Sequence, residues 1–432
     1  MKKEMTYLDY AATTPLDPKV LRAMMPFLTL DYGNPSSVHS AGQKAAEAVE
    51  KSREKLASFL NCSKEEVVFT GSATEANNLA IFGLVKKIQK LGFKSHIITS
   101  EIEHHAVIEP FKILEKQGVE VTYLPVDGEG RISFSEMEKA MKENTVLVSI
   151  MYANNEVGTI QPIKEISELI KKNRKKLFST DYQIPFFHTD AVQAVNYLDC
   201  DVNNLGVDLF TLSGHKIYGP KGVGALYVRK GTPLEPIILG GGQESGLRSG
   251  TENVAGIVGL GEAISQIKRQ KSRLRQGHST LRVSDIRPED SVPRDSMNSM
   301  SFGGRAKNKN LQRLRDKLII GIIKTIPGAK LNGSAKDRLP NNANFSFKGA
   351  EGEAMVIALD QKGIAVSTGS ACSSKSLEPS HVLVALGLSE EEAHTSLRVT
   401  LGRGTKEQDI IKILKELPII VKKLREISGK FN

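Results

Sequence analysis

The sequence predicts an α/β protein, with a large domain on a mostly parallel sheet and a smaller α+β C-terminal domain. Helix and strand patterns alternate from residue 40 to about 230. Polar clusters follow several strand candidates, and open parallel sheets bind ligands beyond the carboxyl ends of their strands. The glycine-rich stretch 240–250 then ends the alternation.

In chain order, Ala45, Val49, Leu56 and Leu60 repeat at helical spacing to residue 60, with Ser40 and Gln43 resembling a capping box. Strand candidates follow at 67–70, 96–99, 119–126, 145–151, 186–189, 207–212 and 224–228. Between them lie helical stretches at 74–91, 106–117 and 162–176. A long helix is expected from near Val254 through 270, then strands around 343–347 and 396–401 and a terminal helix over 407–427. Residues 272–310 show no period and are rich in Ser, Arg, Asp and Asn, so they read as a surface insertion without regular structure. The expected organisation is an N-terminal segment 1–15 packing with the small domain, a large domain 16–260 and a small domain 261–432.

At 432 residues, with 40% hydrophobic and 25% charged residues, the chain is neither fibrous nor wholly disordered. Its 59 basic against 49 acidic residues give a net charge of +10, which favours acidic partners. No basic block is interleaved with aromatics, and the lysines of 164–176 lie along a helical pattern, which argues against nucleic acid. Three cysteines make no disulfide framework and no metal spacing, so a reducing cytoplasm is expected. Glu4, Asp9 and the lack of an apolar run argue against a signal peptide, and no stretch is apolar enough to span a membrane.

Six clusters and one arginine carry the chemistry. Ser213-Gly214-His215-Lys216 ends a strand candidate, and a lysine there can form a Schiff base with a carbonyl cofactor, pyridoxal phosphate being the usual one. The bland alternative is a solvated loop lysine. Asp190 through Gln193 follows another strand, where a buried carboxylate can hold a pyridinium nitrogen protonated; a helix N-cap is equally compatible. Gly71 through Glu75 lies between strand and helix, a suitable place for phosphate or simply a capped turn. Glu103-His104-His105 can place an imidazole over an aromatic cofactor, or be surface histidines. Asn154 through Gly158 offers amides to a ring oxygen, or is an Asn/Gly turn. Ser367 through Ser374 sets Cys372 in a small polar loop that suits a nucleophilic thiol. Cys62, at a helix end, and Cys200, next to Asp199 and Asp201, read as structural or incidental. Arg398 on a strand candidate can fork onto a carboxylate or make a structural ion pair.

Taken together, YLDYAATTPLDP, GNPSSVHSAG, FTGSATEANN, EHHAV, NNEVG, HTDAVQA, SGHKIYGPKGVGALYVR, GGGQESGLRSGTENV, STGSACSS and SLRVTLGR resemble the cysteine desulfurases of the NifS/IscS type. These are pyridoxal-phosphate enzymes of fold type I in the class V aminotransferase superfamily. The resemblance covers nearly the whole chain, apart from 272–310 and a stretch around 174–185. Relative to the family, the segment after the RSGT block carries an excess on the order of thirty residues.

The resemblance implies that Lys216 holds the cofactor as a Schiff base and that His104 stacks on its ring. It pairs Asp190 with the pyridine nitrogen and sets Asn155 and Gln193 on the ring oxygen. Ala73, Thr74, Ser213 and His215 would hold the phosphate. Thr251 would reach the phosphate of a neighbouring subunit, which implies a homodimer with shared active sites. Arg398 and Asn34 would bind the substrate carboxylate, and Cys372 would carry the persulfide. The implied reaction converts L-cysteine to L-alanine and passes sulfur to an acceptor or iron–sulfur scaffold protein. No resident metal is implied; transient contact of Cys372 with an iron–sulfur cluster stays open. The long stretch after Cys372 suits hand-off to a partner. Selenocysteine lyase, an aminotransferase and a non-catalytic scaffold are the alternatives, and Cys372 speaks against a plain aminotransferase.

Overall fold

The computed structural model describes residues 5–177, 180–276, 309–369 and 378–429. Strand β1 (Thr6–Tyr7) opens the described chain, followed by α1 (Pro18–Thr29) and α2 (Ser40–Leu60). Asp17 caps α1, its Oδ1 accepting the Lys19 N–H at 2.8 Å, and Pro18 suits the first helical position.

The large domain then alternates as expected through β2 (Val67–Thr70), α3 (Ala73–Lys90), β3 (His96–Ser100), α4 (His105–Lys116) and β4 (Glu120–Leu124). It continues with α5 (Phe134–Ala140), β5 (Thr145–Ser149), α6 (Ile163–Asn173), β6 (Lys175–Lys176), β7 (Gln183–Ile184) and β8 (Phe186–Asp190). The short α7 (Val202–Leu205) leads to β9 (Leu209–Ser213) and β10 (Gly224–Val228). Seven strands form one sheet in the order β2-β10-β9-β8-β5-β3-β4. All neighbours run parallel except β10, which is antiparallel to both β2 and β9. Every residue of β3, β5, β8 and β9 is buried, as in a sheet covered on both faces.

Beyond the glycine-rich stretch come α8 (Val254–Gln276), α9 (Lys309–Thr325), β11 (Ala329–Leu331), β12 (Asn342–Phe347) and α10 (Gly352–Gln361). The chain closes with β13 (Ile364–Ala365), α11 (His381–Ala385), α12 (Glu390–His394), β14 (Ser396–Thr400) and α13 (Glu407–Ser428). Here β11, β12 and β14 form a small antiparallel sheet, with α9, α10 and α13 beside it. The N-terminal β1 pairs with β13, so the chain's first strand lies in the C-terminal part.

Several expected boundaries shift. The cap of α2 is His39, whose Nδ1 accepts the Gly42 N–H at 3.3 Å; Ser40 is already helical, so no Ser40–Gln43 box forms. The helix expected over 162–176 stops at Asn173, because Arg174 turns extended and pairs with Asp208, and Lys175–Lys176 joins a hairpin with Gln183–Ile184. Helix α8 runs to 276 and α9 starts at 309, so both edges of the expected insertion are helical. Residues 277–308 lie outside the described residues. The expected domain border at 260 falls inside α8, which packs against α1 and α2.

Candidate active site

Beyond Ser213 at the end of β9, a single 3₁₀ turn, Gly214–Lys216, carries the lysine into a cavity of about 320 Å³. The N-terminal segment threads the same cavity. Lys216 Nζ donates to the carbonyls of Ala11 at 2.6 Å and Ala12 at 2.8 Å, and Gln193 Nε2 donates to Ala11 O at 3.0 Å. The Thr13 hydroxyl lies 3.2 Å from His215 Nδ1. Burial, with Lys216 and Lys221 beside it, pushes His215 down to about 4, so its ring stays neutral.

Asp190 ends β8, 6% exposed, facing the cavity. Its Oδ2 accepts from Asn77 Nδ2 at 2.7 Å and its Oδ1 from the Val192 N–H at 3.0 Å. Asn77 Oδ1 is buried without a hydrogen-bond partner. Across the cavity, His104 caps α4, its Nδ1 accepting the Ala106 N–H at 3.0 Å. That bond leaves the proton of the neutral ring on Nε2. Burial lowers the His104 pKa, helped by Lys216 and His105 and opposed by Asp190.

Ala73 and Thr74 begin α3 at the cavity edge, and Ser72 caps it by accepting the Glu75 N–H at 3.1 Å. A helix start leaves its first N–H groups without intrahelical acceptors, which suits an anion. Ser213 and His215 line the same cavity.

The small domain closes the other side. Arg398 on β14 is 2% exposed; its Nη2 donates to Asp9 Oδ1 at 2.9 Å and its Nη1 to Asn155 O at 3.1 Å, while Nε is buried without a partner. Besides Asp190, two more buried carboxyls face the cavity. Glu103 accepts from Ser100 Oγ at 2.6 Å and the Met151 N–H at 2.8 Å, and burial pushes it up to about 8. Glu156 accepts from Ser380 Oγ at 2.6 Å, and burial raises it to about 7 against the pull of Arg398.

Ten of the sequence-predicted residues thus meet in one cavity: Lys216, His104, Ala73, Thr74, Asn155, Asp190, Gln193, Ser213, His215 and Arg398. Asn34 does not join them; it is exposed, and its Oδ1 accepts the Ser36 N–H at 2.9 Å. Thr251 is exposed beside a separate cleft with Arg248 and Glu252. Cys372 lies outside the described residues. The sequence reading missed Asp9, Ala11, Ala12, Asn77, Glu103, Glu156 and His381. The quoted blocks contain all of these except His381; a strand-end context was the available signal for Glu103 and Glu156, while Ala11 and Ala12 act through backbone carbonyls and Asn77 lies inside α3.

The donor set fits pyridoxal phosphate. It offers an amine for an aldehyde, a buried carboxylate for a ring nitrogen and a helix start for a phosphate.

A lysine after a strand of such a sheet, facing a buried carboxylate, is the arrangement of class-V aminotransferases, and the chain belongs to that family. Its family model, "Aminotransferase class-V", matches residues 6–283 and 296–413. The unmatched stretch 284–295 is shorter than the excess expected from the sequence. Within that family the chain falls with the cysteine desulfurases of the NifS/IscS type. It is 47% identical over 428 residues to cysteine desulfurase IscS of Dictyoglomus turgidum, covering 99% of this chain and 97% of that one. With cysteine desulfurase IscS 1 of Archaeoglobus fulgidus it shares 45% identity, covering 98% and 99%. Among solved structures, a NifS-like protein superposes with TM-score 0.79 at 35% identity, covering 98% of this chain and 99% of that one. SspA in complex with cysteine superposes with TM-score 0.71 at 36% identity, covering 92% and 98%.

Proposed function

We propose that this protein is a pyridoxal-phosphate-dependent L-cysteine desulfurase, releasing L-alanine and leaving persulfide sulfur on Cys372. The observation that carries the reading is Lys216 in one cavity with Asp190, His104 and Arg398, in a chain close to half identical to desulfurases. When bound, the cofactor supplies an aldehyde for the amino group and a ring that takes up electron density from Cα.

The chain's residues supply the rest. Asp190, fixed by Asn77 and Val192, offers its carboxylate to the ring nitrogen. Ala73, Thr74, Ser213 and His215 would hold the phosphate, and Asn155 and Gln193 would serve the ring oxygen. His104, with its proton on Nε2, would lie against the ring. Lys216 moves the Cα proton once its amine is free. Arg398 takes the substrate carboxylate, which excludes amines lacking one. The Cys372 thiolate forms an S–S bond with the substrate sulfur; the carbon–sulfur bond breaks, its electron pair stays with carbon, and protonation gives alanine.

The sulfur then passes to an acceptor or iron–sulfur scaffold protein, for cluster assembly or tRNA thiolation, in the cytoplasm. No helix among the described residues is long and apolar enough to cross a membrane. The working unit we propose is a homodimer, in which Thr251 serves the neighbour's phosphate. Its exposure supports this, as do Leu28, Leu30, Tyr32 and Val38, apolar side chains from 57% to 90% exposed around Asn34.

The test is purified holoenzyme with L-cysteine, measuring alanine and, under a reductant, sulfide. Equal amounts of the two are expected, and cysteine consumption without alanine would overturn the reading.

A further inference from the structure

Glu103 has no part in the roles above, yet it lines the cavity and is 0% exposed. Three elements hold it. Ser100 Oγ, at the end of β3, donates to Oε1 at 2.6 Å. Just beyond β5, the Met151 N–H donates to the same oxygen at 2.8 Å. From α11, His381 Nε2 donates to the Glu103 carbonyl at 2.9 Å. Both side-chain bonds therefore fall on Oε1. Oε2 is buried and has no hydrogen-bond partner among the described residues.

Asp190 is arranged differently. Its Oδ2 accepts Asn77 Nδ2 and its Oδ1 the Val192 N–H, so each oxygen has a donor. A buried carboxylate needs such donors, and leaving one charged oxygen bare is costly. The Glu103 pattern suits a neutral carboxylic acid instead. The carbonyl oxygen of an acid takes donors, while its hydroxyl oxygen needs none. The Met151 N–H can only donate, which makes Oε1 the carbonyl oxygen and sets the acid's proton on Oε2.

The large domain brings Asp190, His104, His105, Glu156, His215 and Lys216 to the same cavity, and the small domain brings His381 and Arg398. Of these charges, that of Asp190 adds to the effect of burial on Glu103, and both favour the acid form. The bonds from Ser100 and Met151 pull the other way and are outweighed. Two neighbouring carboxyls thus take different forms, which lets each serve a different role.

We infer that Glu103 is a proton-holding residue of the cofactor cavity: as a neutral acid it leaves Asp190 the single anion of the pair and keeps a second buried negative charge away from the bound phosphate and the substrate carboxylate. The consequence for binding rests on the pyridoxal-phosphate reading; the acid form of Glu103 does not.

The experiment uses the full chain as wild type, Glu103→Gln and Ser100→Ala, with and without bound pyridoxal phosphate. Glutamine has the shape of the neutral acid and puts an N–H donor where the acid has its O–H. The first reading is the infrared carbonyl band of protonated carboxyl groups. In wild type one component should vanish as pH rises through about 8, and Glu103→Gln should lack it. Glu156, raised by burial to about 7, gives a second component that both proteins share. Ser100→Ala removes a donor to Oε1, so the Glu103 component should persist to higher pH, a test that stands even if the glutamine variant does not fold. The second reading is the dissociation constant for pyridoxal phosphate. Wild type and Glu103→Gln should agree within about twofold at about pH 6.5. At about pH 9 wild type should bind about tenfold more weakly than the variant, as for one like charge added nearby. A wild-type band that Glu103→Gln leaves unchanged would overturn the inference, as would an unshifted component in Ser100→Ala. So would about tenfold weaker binding by Glu103→Gln at about pH 6.5, or equal affinities at about pH 9. If wild type binds no pyridoxal phosphate, the cofactor reading fails, and the infrared titration still decides whether Glu103 holds the proton.

Discussion

Arg398 and Asp9 lie 389 residues apart in sequence, yet Nη2 of one meets Oδ1 of the other at 2.9 Å, with side chains 3% and 17% exposed. The pair fixes the N-terminal segment against β14. Two residues after Asp9, the Ala11 carbonyl receives Lys216 Nζ. Arg398, the proposed carboxylate anchor, and Lys216 are therefore joined by one short stretch of backbone. A guanidinium can serve Asp9, Asn155 O and an incoming carboxylate at once because its donors are fanned in a plane, which an ammonium cannot reproduce.

Arg398→Lys should therefore raise KM for L-cysteine by roughly 10- to 100-fold, the worth of a hydrogen bond to a charged group. Cofactor absorbance should stay unchanged. Steady-state kinetics with parallel spectra decide it, and an unchanged KM removes Arg398 from substrate binding.

Much of this site was legible because its residues follow strands. Lys216, Asp190 and His104 sit where parallel sheets present ligands, so strand patterns and polar clusters located them together. Ala11 and Ala12 act through carbonyls, which no side-chain pattern reveals. Asn77 lies inside a helix, and its meaning comes from Asp190, 113 residues away. Arg338 looks like any surface arginine in sequence, and only the fold buries it among the carbonyls of Val157, Asn332 and Ser334. Lys175–Lys176 continued a helical pattern but was claimed by a hairpin partner beyond the helix, a tertiary override of local preference.

Lys216→Ala should remove the visible absorbance of the bound cofactor and all alanine formation. Asp190 and the start of α3 remain, so added pyridoxal phosphate should still bind, more weakly and reversibly on dialysis. Absorbance spectra before and after dialysis check this; turnover by the variant would overturn the lysine assignment.

His188 predicts a pH dependence of stability. The ring is 0% exposed between β5 and β9, with Nδ1 2.8 Å from Ser149 Oγ and Nε2 3.1 Å from Thr211 Oγ1. Burial pushes its pKa down to about 3. The unfolded chain takes this proton below about 6.5, and the folded one does not. Its contribution to stability is complete above the unfolded value and is lost as pH falls through that window. Urea midpoints should drop between about pH 6.5 and 4.5, and His188→Gln should flatten the drop by about one proton's worth. Equal slopes for the two proteins would show that the ring is protonated in the fold.

The last prediction separates the three cysteines. Burial, with Glu66 nearby, pushes the Cys62 thiol up to about 12, so almost none is thiolate at neutral pH. Cys200 is 2% exposed, and its thiol faces the Leu198 carbonyl at 3.6 Å. Neither lines the cavity, so Cys62→Ser and Cys200→Ser should leave turnover close to wild type. Cys372→Ser removes the proposed nucleophile while leaving Lys216, Asp190, His104 and Arg398 intact. That variant should bind the cofactor and still change its visible spectrum with cysteine. A hydroxyl is barely ionised near neutral pH, so protein-bound persulfide should vanish and alanine formation fall by about two orders of magnitude or more. Alanine yield and protein-bound sulfur, measured on the three single variants side by side, decide the assignment. Persulfide mapping to Cys62 or Cys200, or wild-type alanine from Cys372→Ser, would place the nucleophile elsewhere. Loss of the cysteine-induced spectral change in Cys372→Ser would instead mean that the thiol takes part in substrate binding.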